Sequence, residues 1–222
     1  MLRSLLALAL ALAPAGMVGC TGPAKAELEL VRPLVLTPAD DPRGALKRVA
    51  EAVRADAQSG LDVAEATIPA NDHAPGLHEV FVTGPEKHVL EDYIRTHPEL
   101  APPADHQFAY ERLRDGEGRW YWRMHCVKAG GLVLRKLVAA DVVRDADNQP
   151  RIRVRLGPED GQSFAAITTH ELGKRLAVVQ DDEVLMAPII LAPLTTGVFD
   201  ISLGGAVTQG EVDAAFNHLL GR

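Results

Sequence analysis

The alternation of apolar and polar residues predicts a chain in which strands outnumber helices. Strand-like alternation covers nine stretches, residues 27–36, 77–83, 107–113, 120–127, 139–144, 151–156, 176–180, 184–190 and 198–203. Helical spacing of apolar residues follows Asp41, Pro85, Pro158 and Thr208. We therefore predict an α+β fold, mainly an antiparallel sheet with helices on one face, and a ferredoxin-like or split βαβ element in the C-terminal half.

Helix boundaries are marked by residues with a defined capping role. Asp41 is predicted to cap the first helix, with Pro42 in its first turn. Thr208 and Glu211 have the spacing of a capping box, which predicts the start of the last helix. Gly221 is predicted to end that helix, because glycine adopts the left-handed conformation at low cost.

The amino terminus has the pattern of an export signal. Arg3 supplies a positive charge, and residues 5–13 are an uninterrupted apolar stretch that is too short to remain as a membrane anchor. Met17, Gly19 and Cys20 then resemble the lipobox of bacterial lipoproteins, with Met17 where that family usually has leucine. The alternative is an ordinary secreted protein whose signal happens to end near a cysteine.

The lipobox resemblance implies lipidation of Cys20 and a membrane-anchored body. We expect residues 1–19 to be a lipoprotein signal peptide and residues 20–26 to be a lipidated tether. Acyl chains on Cys20 would hold the chain at a membrane, since two or more chains make the attachment stable. The expected location is the cell envelope, facing the periplasm or the exterior, and the outer membrane if the host is Gram-negative.

Composition fits one ordinary domain or two small domains behind this signal. The chain has 222 residues, of which 47% are apolar and 24% charged. We divide it into an N-terminal α+β region, residues 27–103, and a C-terminal α+β domain, residues 104–222. The net charge is −7, and it becomes −8 once Arg3 is removed with the signal. An acidic body does not attract phosphates, so we expect no nucleic-acid partner.

Cys126 is expected to be a buried thiol with no catalytic role. Lipidation of Cys20 would leave it without a disulfide partner. The alternation over residues 120–127 puts Cys126 on the same face as Trp122 and Met124, the apolar face. His125 then points to the other side, which argues against a Cys–His nucleophile pair.

Histidines in the first half suggest an alternative function. His73, His78, His88, His97 and His106 lie in a stretch that also contains aspartates. Their spacing fits no common zinc pattern, so surface histidines are the preferred interpretation. An envelope hydrolase or metal-dependent enzyme that uses His and Asp residues of 70–106 stays open as the alternative. The preferred prediction has no catalytic residue, metal or cofactor.

The second half of the chain resembles the periplasmic head domain of SecD, a membrane subunit of the bacterial protein-export machinery. The resemblance starts near Tyr110 and is carried by many modest positions, in residues 141–143, 161–168, 172–179, 187–190 and 208–220. Gln180 and Asp182 depart from the family pattern, which has an apolar residue and a turn glycine there. The residues of this pattern predict a helix, a tight turn at Gly173 where the chain leaves the helix, and a hairpin. These residues serve folding, and none of them is an acid, a base or a nucleophile placed for catalysis.

The resemblance implies a binding domain and not a motor. SecD couples proton flow to translocation through membrane-spanning helices, and no such segment is predicted in this chain. We therefore expect a non-catalytic protein-binding or accessory module related to protein export, whose partners are envelope or secretory proteins. Contact would use a sheet edge or a groove that accepts extended polypeptide. A passive structural spacer is a third possibility.

Overall fold

The computed structural model describes residues 27–41, 43–68, 76–204 and 208–222. Within these ranges the chain forms eleven strands and four α-helices. The strands are β1 (Leu28–Ala39), β2 (Asp62–Ile68), β3 (Leu77–Gly84), β4 (His106–Arg114), β5 (Trp120–Lys128), β6 (Leu132–Leu137), β7 (Ala139–Arg144), β8 (Pro150–Arg155), β9 (Arg175–Gln180), β10 (Glu183–Met186) and β11 (Val198–Ile201). The helices are α1 (Ala45–Ala55), α2 (Lys87–Thr96), α3 (Pro158–His170) and α4 (Gln209–Leu220), with a 3-10 turn at Pro98–Leu100.

Eight strands form one large sheet, and three form a small one. The large sheet has the order β2-β3-β5-β4-β10-β9-β1-β6, and the small sheet has the order β11-β8-β7. Neighbours are antiparallel except β10 and β4, which are parallel. Because β1 also pairs with β5 at Ala39 and Val127, the strands β5, β4, β10, β9 and β1 close into a ring. The large sheet thus combines strands from both sides of the 103/104 boundary.

Small side chains fill the inside of this ring, and the helices cover its outside. The inner cluster consists mainly of alanine and valine, namely Val35, Ala39, Ala109, Val127, Ala177, Val179, Val184 and Ala187. Leu36 and Val178 alternate with inner residues and pack outward against Phe164 of α3 and Leu219 of α4. On β5, Met124 packs outward in a second cluster with α1 and α2. The predicted mixture of sheet and helices is confirmed.

Two details of the predicted fold differ from the structure. Helix α1 begins at Ala45, with Gly44 as its N-cap residue, so Asp41 does not cap it as predicted. The side chain of Asp41 still approaches the first turn, where its Oδ2 accepts from the backbone N–H of Lys47 at 3.4 Å. Pro42 lies outside the described residues. The ferredoxin-like element is not confirmed, because β8 and β9, on either side of α3, belong to different sheets.

The last helix follows its sequence signals. Thr208 and Glu211 form the predicted capping box, and Gly221 ends α4 in the left-handed conformation. Strands β2 and β6 were not predicted. None of the helices in the described part of the chain is long and apolar enough to cross a membrane.

Candidate functional site

The residues singled out from the sequence do not form one site. Cys20 and His73 lie outside the described residues. His78 is exposed on β3 and bonds Thr67, whereas His97 stacks on Tyr93 at the end of α2. No group of three or more His, Cys, Asp or Glu residues suited to a metal ion is found among the described residues.

His106 is the most strongly bonded of the predicted histidines. Its ring nitrogens bond two carboxylates, Nε2 to Asp40 at 2.9 Å and Nδ1 to Asp105 at 3.0 Å. Burial lowers the pKa of His106, but the bonds to Asp105 and Asp40 outweigh it, so the pKa is raised. These two bonds join the residue that follows β1 to the residue that precedes β4.

Cys126 is buried as predicted. It packs outward with Met124 and Trp122, away from the ring interior. Burial, with a smaller contribution from the charges of Asp41 and Asp40, raises the pKa of the thiol to about 12. A thiol that holds its proton this firmly is a poor nucleophile.

A buried charged cluster faces the inside of the ring. Glu111 on β4 lies directly opposite Arg123 on β5, and His125 is two residues further along the same face. The Nε2 atom of His125 bonds Oε2 of Glu111 at 2.8 Å, and the guanidinium of Arg123 donates to the same oxygen. Glu111 is only 4% exposed and His125 only 2%. Arg123 and His125 offset the free energy cost of burying the Glu111 carboxylate, which would be very high for an isolated charge.

The pKa values of the two buried groups assign their charges. Burial raises the pKa of Glu111, but the bond from His125 and the charge of Arg123 together lower it below its usual range. Burial lowers the pKa of His125, and the charges of Arg123 and Arg175 lower it further. The bond to Glu111 raises the pKa but does not outweigh these effects. At neutral pH an ionised Glu111 therefore accepts a hydrogen bond from a neutral His125.

A second ion pair bridges β3 and β9 beside this cluster. Arg175 donates to both carboxylate oxygens of Glu79, each at 2.7 Å, and a third bond goes to the carbonyl of Ala187. The centroid of the Phe81 ring is 4.7 Å from the guanidinium carbon of Arg123 and 5.7 Å from that of Arg175. These contacts hold β3 against β9 of the ring, although β3 and β9 do not pair through backbone hydrogen bonds.

A cavity of about 600 Å³ opens between β3 and the ring. Strand β3 pairs with β5 only at Thr83 and Gly84, while β1 meets the same edge of β5 at Val127. The two strands therefore leave β5 between these points uncovered. The cavity is lined by residues 77–81 of β3, the end of β1, the start of α1, and side chains that include His125 and Arg175.

The sheets also have strand edges that no described strand covers. The large sheet ends at β2 on one side and at β6 on the other. On β6, Val133 is 43% exposed although it is a large apolar residue. Such an edge presents backbone N–H and C=O groups to which an extended chain can pair.

The charged cluster was missed because alternation alone does not identify the buried face of a closed sheet. Arg123 and His125 are polar and alternate with Trp122 and Met124, so their side of β5 looked solvent-exposed. Ring closure buries that side as well. The available signal was the hairpin register, which places the acid Glu111 opposite the base Arg123.

Departures from the head-domain pattern have local explanations. Gln180 is buried, and its amide donates to the carbonyl of Arg32. The predicted hairpin is present, and its turn consists of Asp181 and Asp182, with φ of 51° and 63°. Glu183, which was predicted to lie between the strands, is the first residue of β10. Gly173 adopts a positive φ of 79°, which agrees with the predicted tight exit after α3.

Residues 118–214 match the family model of the SecDF P1 head subdomain, a stretch shorter than half of the chain. Three curated relatives are similar. They are the protein translocase subunit SecD of Treponema pallidum, 37% identical over 84 residues, SecD of Dictyoglomus turgidum, 29% identical over 118 residues, and SecDF of Thermus thermophilus, 36% identical over 61 residues. These matches cover 34%, 53% and 28% of this chain. They span only 14%, 27% and 8% of the relatives' own lengths.

Two solved structures are also similar at low sequence identity. One is described as a membrane component SecDF that enhances protein export, with 16% identity, a TM-score of 0.36, and coverage of 84% of this chain and 91% of that one. The other is SecDF of Thermus thermophilus, with 17% identity, a TM-score of 0.34, and coverage of 87% and 29%. The resemblance predicted from the sequence is thus confirmed by the family model and the curated relatives, over residues 118–214 for the family model.

Proposed function

We propose that this chain is a lipid-anchored envelope protein whose SecDF P1 head-like domain binds polypeptide and assists protein export without catalysing a reaction. The single observation that carries the proposal is the family match over residues 118–214. The similar proteins are named as translocase subunits. The anchor is proposed from the resemblance of the sequence around Cys20 to a lipobox.

The proposed binding surface is the free edge of β6. Its exposed residues are Val133, Arg135 and Lys136, which combine an apolar contact with two positive charges. An extended chain that pairs with β6 would gain backbone hydrogen bonds, which are independent of its sequence. Binding that does not depend on the sequence of the bound chain suits a protein that contacts many different secretory polypeptides.

The buried cluster supports a structural role more than a catalytic one. Glu111 is bonded by both Arg123 and His125, and an arginine on a carboxylate keeps it ionised and weakly basic. Within the described part of the chain, the side-chain partner of His125 is Glu111. The cluster therefore ties the neighbouring strands β4 and β5 together on the inner face of the ring.

Photo-crosslinking in intact envelopes tests the proposal. A photoreactive residue at position 133 on β6 should capture secretory chains or the export channel. The same residue at position 147, in the exposed turn between β7 and β8, is the matched control. Consistent absence of such partners at position 133, or equal capture at both positions, would count against the proposal.

An envelope hydrolase is the second candidate, and one observation favours it. His125 and His78 line the same cavity, and His125 is bonded to a carboxylate as general bases often are. Screening the purified full chain against ester, peptide and glycoside substrates tests this candidate. Turnover that His125→Gln abolishes would support it, and turnover that His125→Gln leaves unchanged would exclude this site.

A further inference from the structure

Two arginines stack on one tryptophan near the turn of the β4–β5 hairpin. The guanidinium carbons of Arg112 and Arg114 lie 4.3 Å and 4.2 Å from the centroid of the Trp120 ring. The hairpin register places Arg114 directly opposite Trp120, and Arg112 opposite Trp122. These side chains alternate with the inward-facing Glu111, so they lie on the outer face of the ring of strands. Cation–π contact holds both guanidinium groups against the indole.

Arg114 shows which group a guanidinium stacked in this way can hold. While it contacts Trp120, its Nη2 atom donates to Oε1 of Glu211 on α4 at 2.7 Å. The stack therefore leaves nitrogen atoms of the guanidinium open to a carboxylate. Arg153 and Arg175 elsewhere in the chain each donate two bonds to one carboxylate, which is the pairing that a guanidinium prefers.

Arg112 has the same stack but no carboxylate. Its side chain is exposed, and within the described ranges its guanidinium makes no hydrogen bond or ion pair. Other exposed arginines, such as Arg54 and Arg95, are paired with acids of the chain itself. Arg112 therefore keeps its donors available while the indole restricts its motion. A group positioned in advance loses less conformational entropy on binding than a freely moving side chain.

The surroundings of Arg112 are aromatic and basic. Trp122 lies across from it on β5 and is partly exposed, and the ammonium of Lys87 on α2 is 6.0 Å from the centroid of the Trp122 ring. Lys87 is shared with two acids, Glu91 at 3.6 Å and Glu183 at 3.9 Å, so Arg112 is the cation of this patch that is left without an acid. Aromatic residues and arginine are enriched in protein interfaces and carry much of their binding energy.

We propose that the outer face of the β4–β5 hairpin binds an acidic segment of a polypeptide. The guanidinium of Arg112 donates two hydrogen bonds to a glutamate or aspartate carboxylate of that segment, and an apolar side chain beside the acid contacts Trp120 and Trp122. Charge complementarity selects the acid, and the two indole rings favour a ligand that also carries apolar side chains, which a polypeptide supplies. This face is separate from the β6 edge, so the inference does not rest on the proposed function.

Fluorescence titration of the purified full chain at low ionic strength tests the proposal. In Trp122→Phe, Trp120 is the only tryptophan of the chain and reports contact with the stack. The probe is the capped peptide acetyl-Gly-Glu-Leu-Glu-Gly-amide, and the matched ligand has glutamine in place of both glutamates. We expect the acidic peptide to change the emission of Trp120 and to bind about fivefold more tightly than the glutamine peptide.

Two variants in the same background locate the binding. Arg112→Gln should weaken binding of the acidic peptide about fivefold, whereas Arg135→Gln, which removes an exposed charge on β6, should leave it unchanged. A photoreactive derivative of the acidic peptide should crosslink to residues 110–122 and not to residues 132–137. The crosslinking decides the question if Arg112→Gln does not fold.

The proposal is overturned if the acidic peptide does not bind in the millimolar range, or if both peptides bind equally. It is also overturned if Arg112→Gln binds the acidic peptide as tightly as its parent, or if the crosslinks concentrate on β6. None of these outcomes contradicts lipid anchoring or the pairing of extended chains with β6, which are tested separately.

Discussion

His125 donates a hydrogen bond from Nε2 to Oε2 of Glu111 over 2.8 Å, inside a ring of strands that is otherwise lined by small apolar residues. Arg123 bonds the same carboxylate. The three side chains come from two paired strands, and each satisfies another that could not be buried alone. Their effect on stability is therefore larger than that of an ion pair on the surface.

Removal of Glu111 should destabilise the fold strongly. Glu111→Ala leaves Arg123 and His125 buried without their acceptor, and breaking a buried pair costs about 3 kcal/mol or more. Urea unfolding monitored by circular dichroism measures the change. Glu117→Ala, which removes a side chain that is 74% exposed, should change the free energy of unfolding by less than about 0.5 kcal/mol. A loss below about 1 kcal/mol for Glu111→Ala would contradict the role given to the cluster.

Acidification should destabilise the fold through His125. The pKa of His125 is lower in the folded chain than in the unfolded chain, where it is about 6.5, so the unfolded chain binds more protons as the pH falls. The contribution of His125 is therefore present above about pH 6.5 and is lost below it. Unfolding free energies measured from pH 7.5 to pH 5 should fall less in His125→Gln than in the wild type. The exposed His88 provides the control variant, His88→Asn.

His106 should act in the opposite direction. Its pKa is raised in the folded chain by the bonds to Asp105 and Asp40, which outweigh burial. Its contribution is therefore complete below about pH 6.5 and is lost as the pH rises through the folded-state pKa. Between pH 6 and pH 9 the wild type should lose stability that His106→Gln does not lose. An identical pH dependence of the two proteins would show that the bonds of His106 contribute nothing to stability.

The turn between β9 and β10 should become more stable with glycine. Asp182 has a φ of 63°, a conformation that costs most residues more than it costs glycine. Asp182→Gly should raise the free energy of unfolding by about 0.5 to 1 kcal/mol. Asp182→Val should lower it, because a branched side chain fits this conformation poorly. If both variants changed the free energy of unfolding equally, the backbone conformation of residue 182 would not be what determines their stability.

Loss of Cys20, the proposed lipidation site, should release the chain from membranes. In Cys20→Ser no thioether-linked acyl chain can form, and the proposed anchor is lost. Fractionation of cells should then find the protein in the soluble fraction, whereas the control Cys126→Ser stays with the membranes. Mass spectrometry of the mature amino terminus provides a second readout. Cys20→Ser protein that remains membrane-bound would contradict lipid anchoring.

Local signals in the sequence predicted the elements that carry them. The capping residues Thr208 and Glu211, the hairpin at Asp181 and Asp182, and the clean alternation of β8 all have direct physical causes within a few residues. Strand β2 has the sequence Asp-Val-Ala-Glu-Ala-Thr-Ile, which is polar and alanine-rich, so its strand character comes from pairing with β3.

The candidate site could not be predicted in the same way. The partners of Glu111 are set by strand register, and the cavity depends on where β3 and β1 separate along β5. Both are relations between segments far apart in the sequence. Helix α1 shows the same limit on a smaller scale, since Asp41 was predicted to be the N-cap residue but Gly44 holds that position.

The closed ring also sets the order in which the chain can complete its fold. Strand β1 is the first to leave the ribosome, yet two of its neighbours, β6 and β9, follow about a hundred or more residues later. Loop-closure entropy makes pairing between such distant segments slow, so the first strand stays unpaired while the rest is being made. The ring therefore cannot close until β9 and β10 have been made, however early its other strands pair with one another.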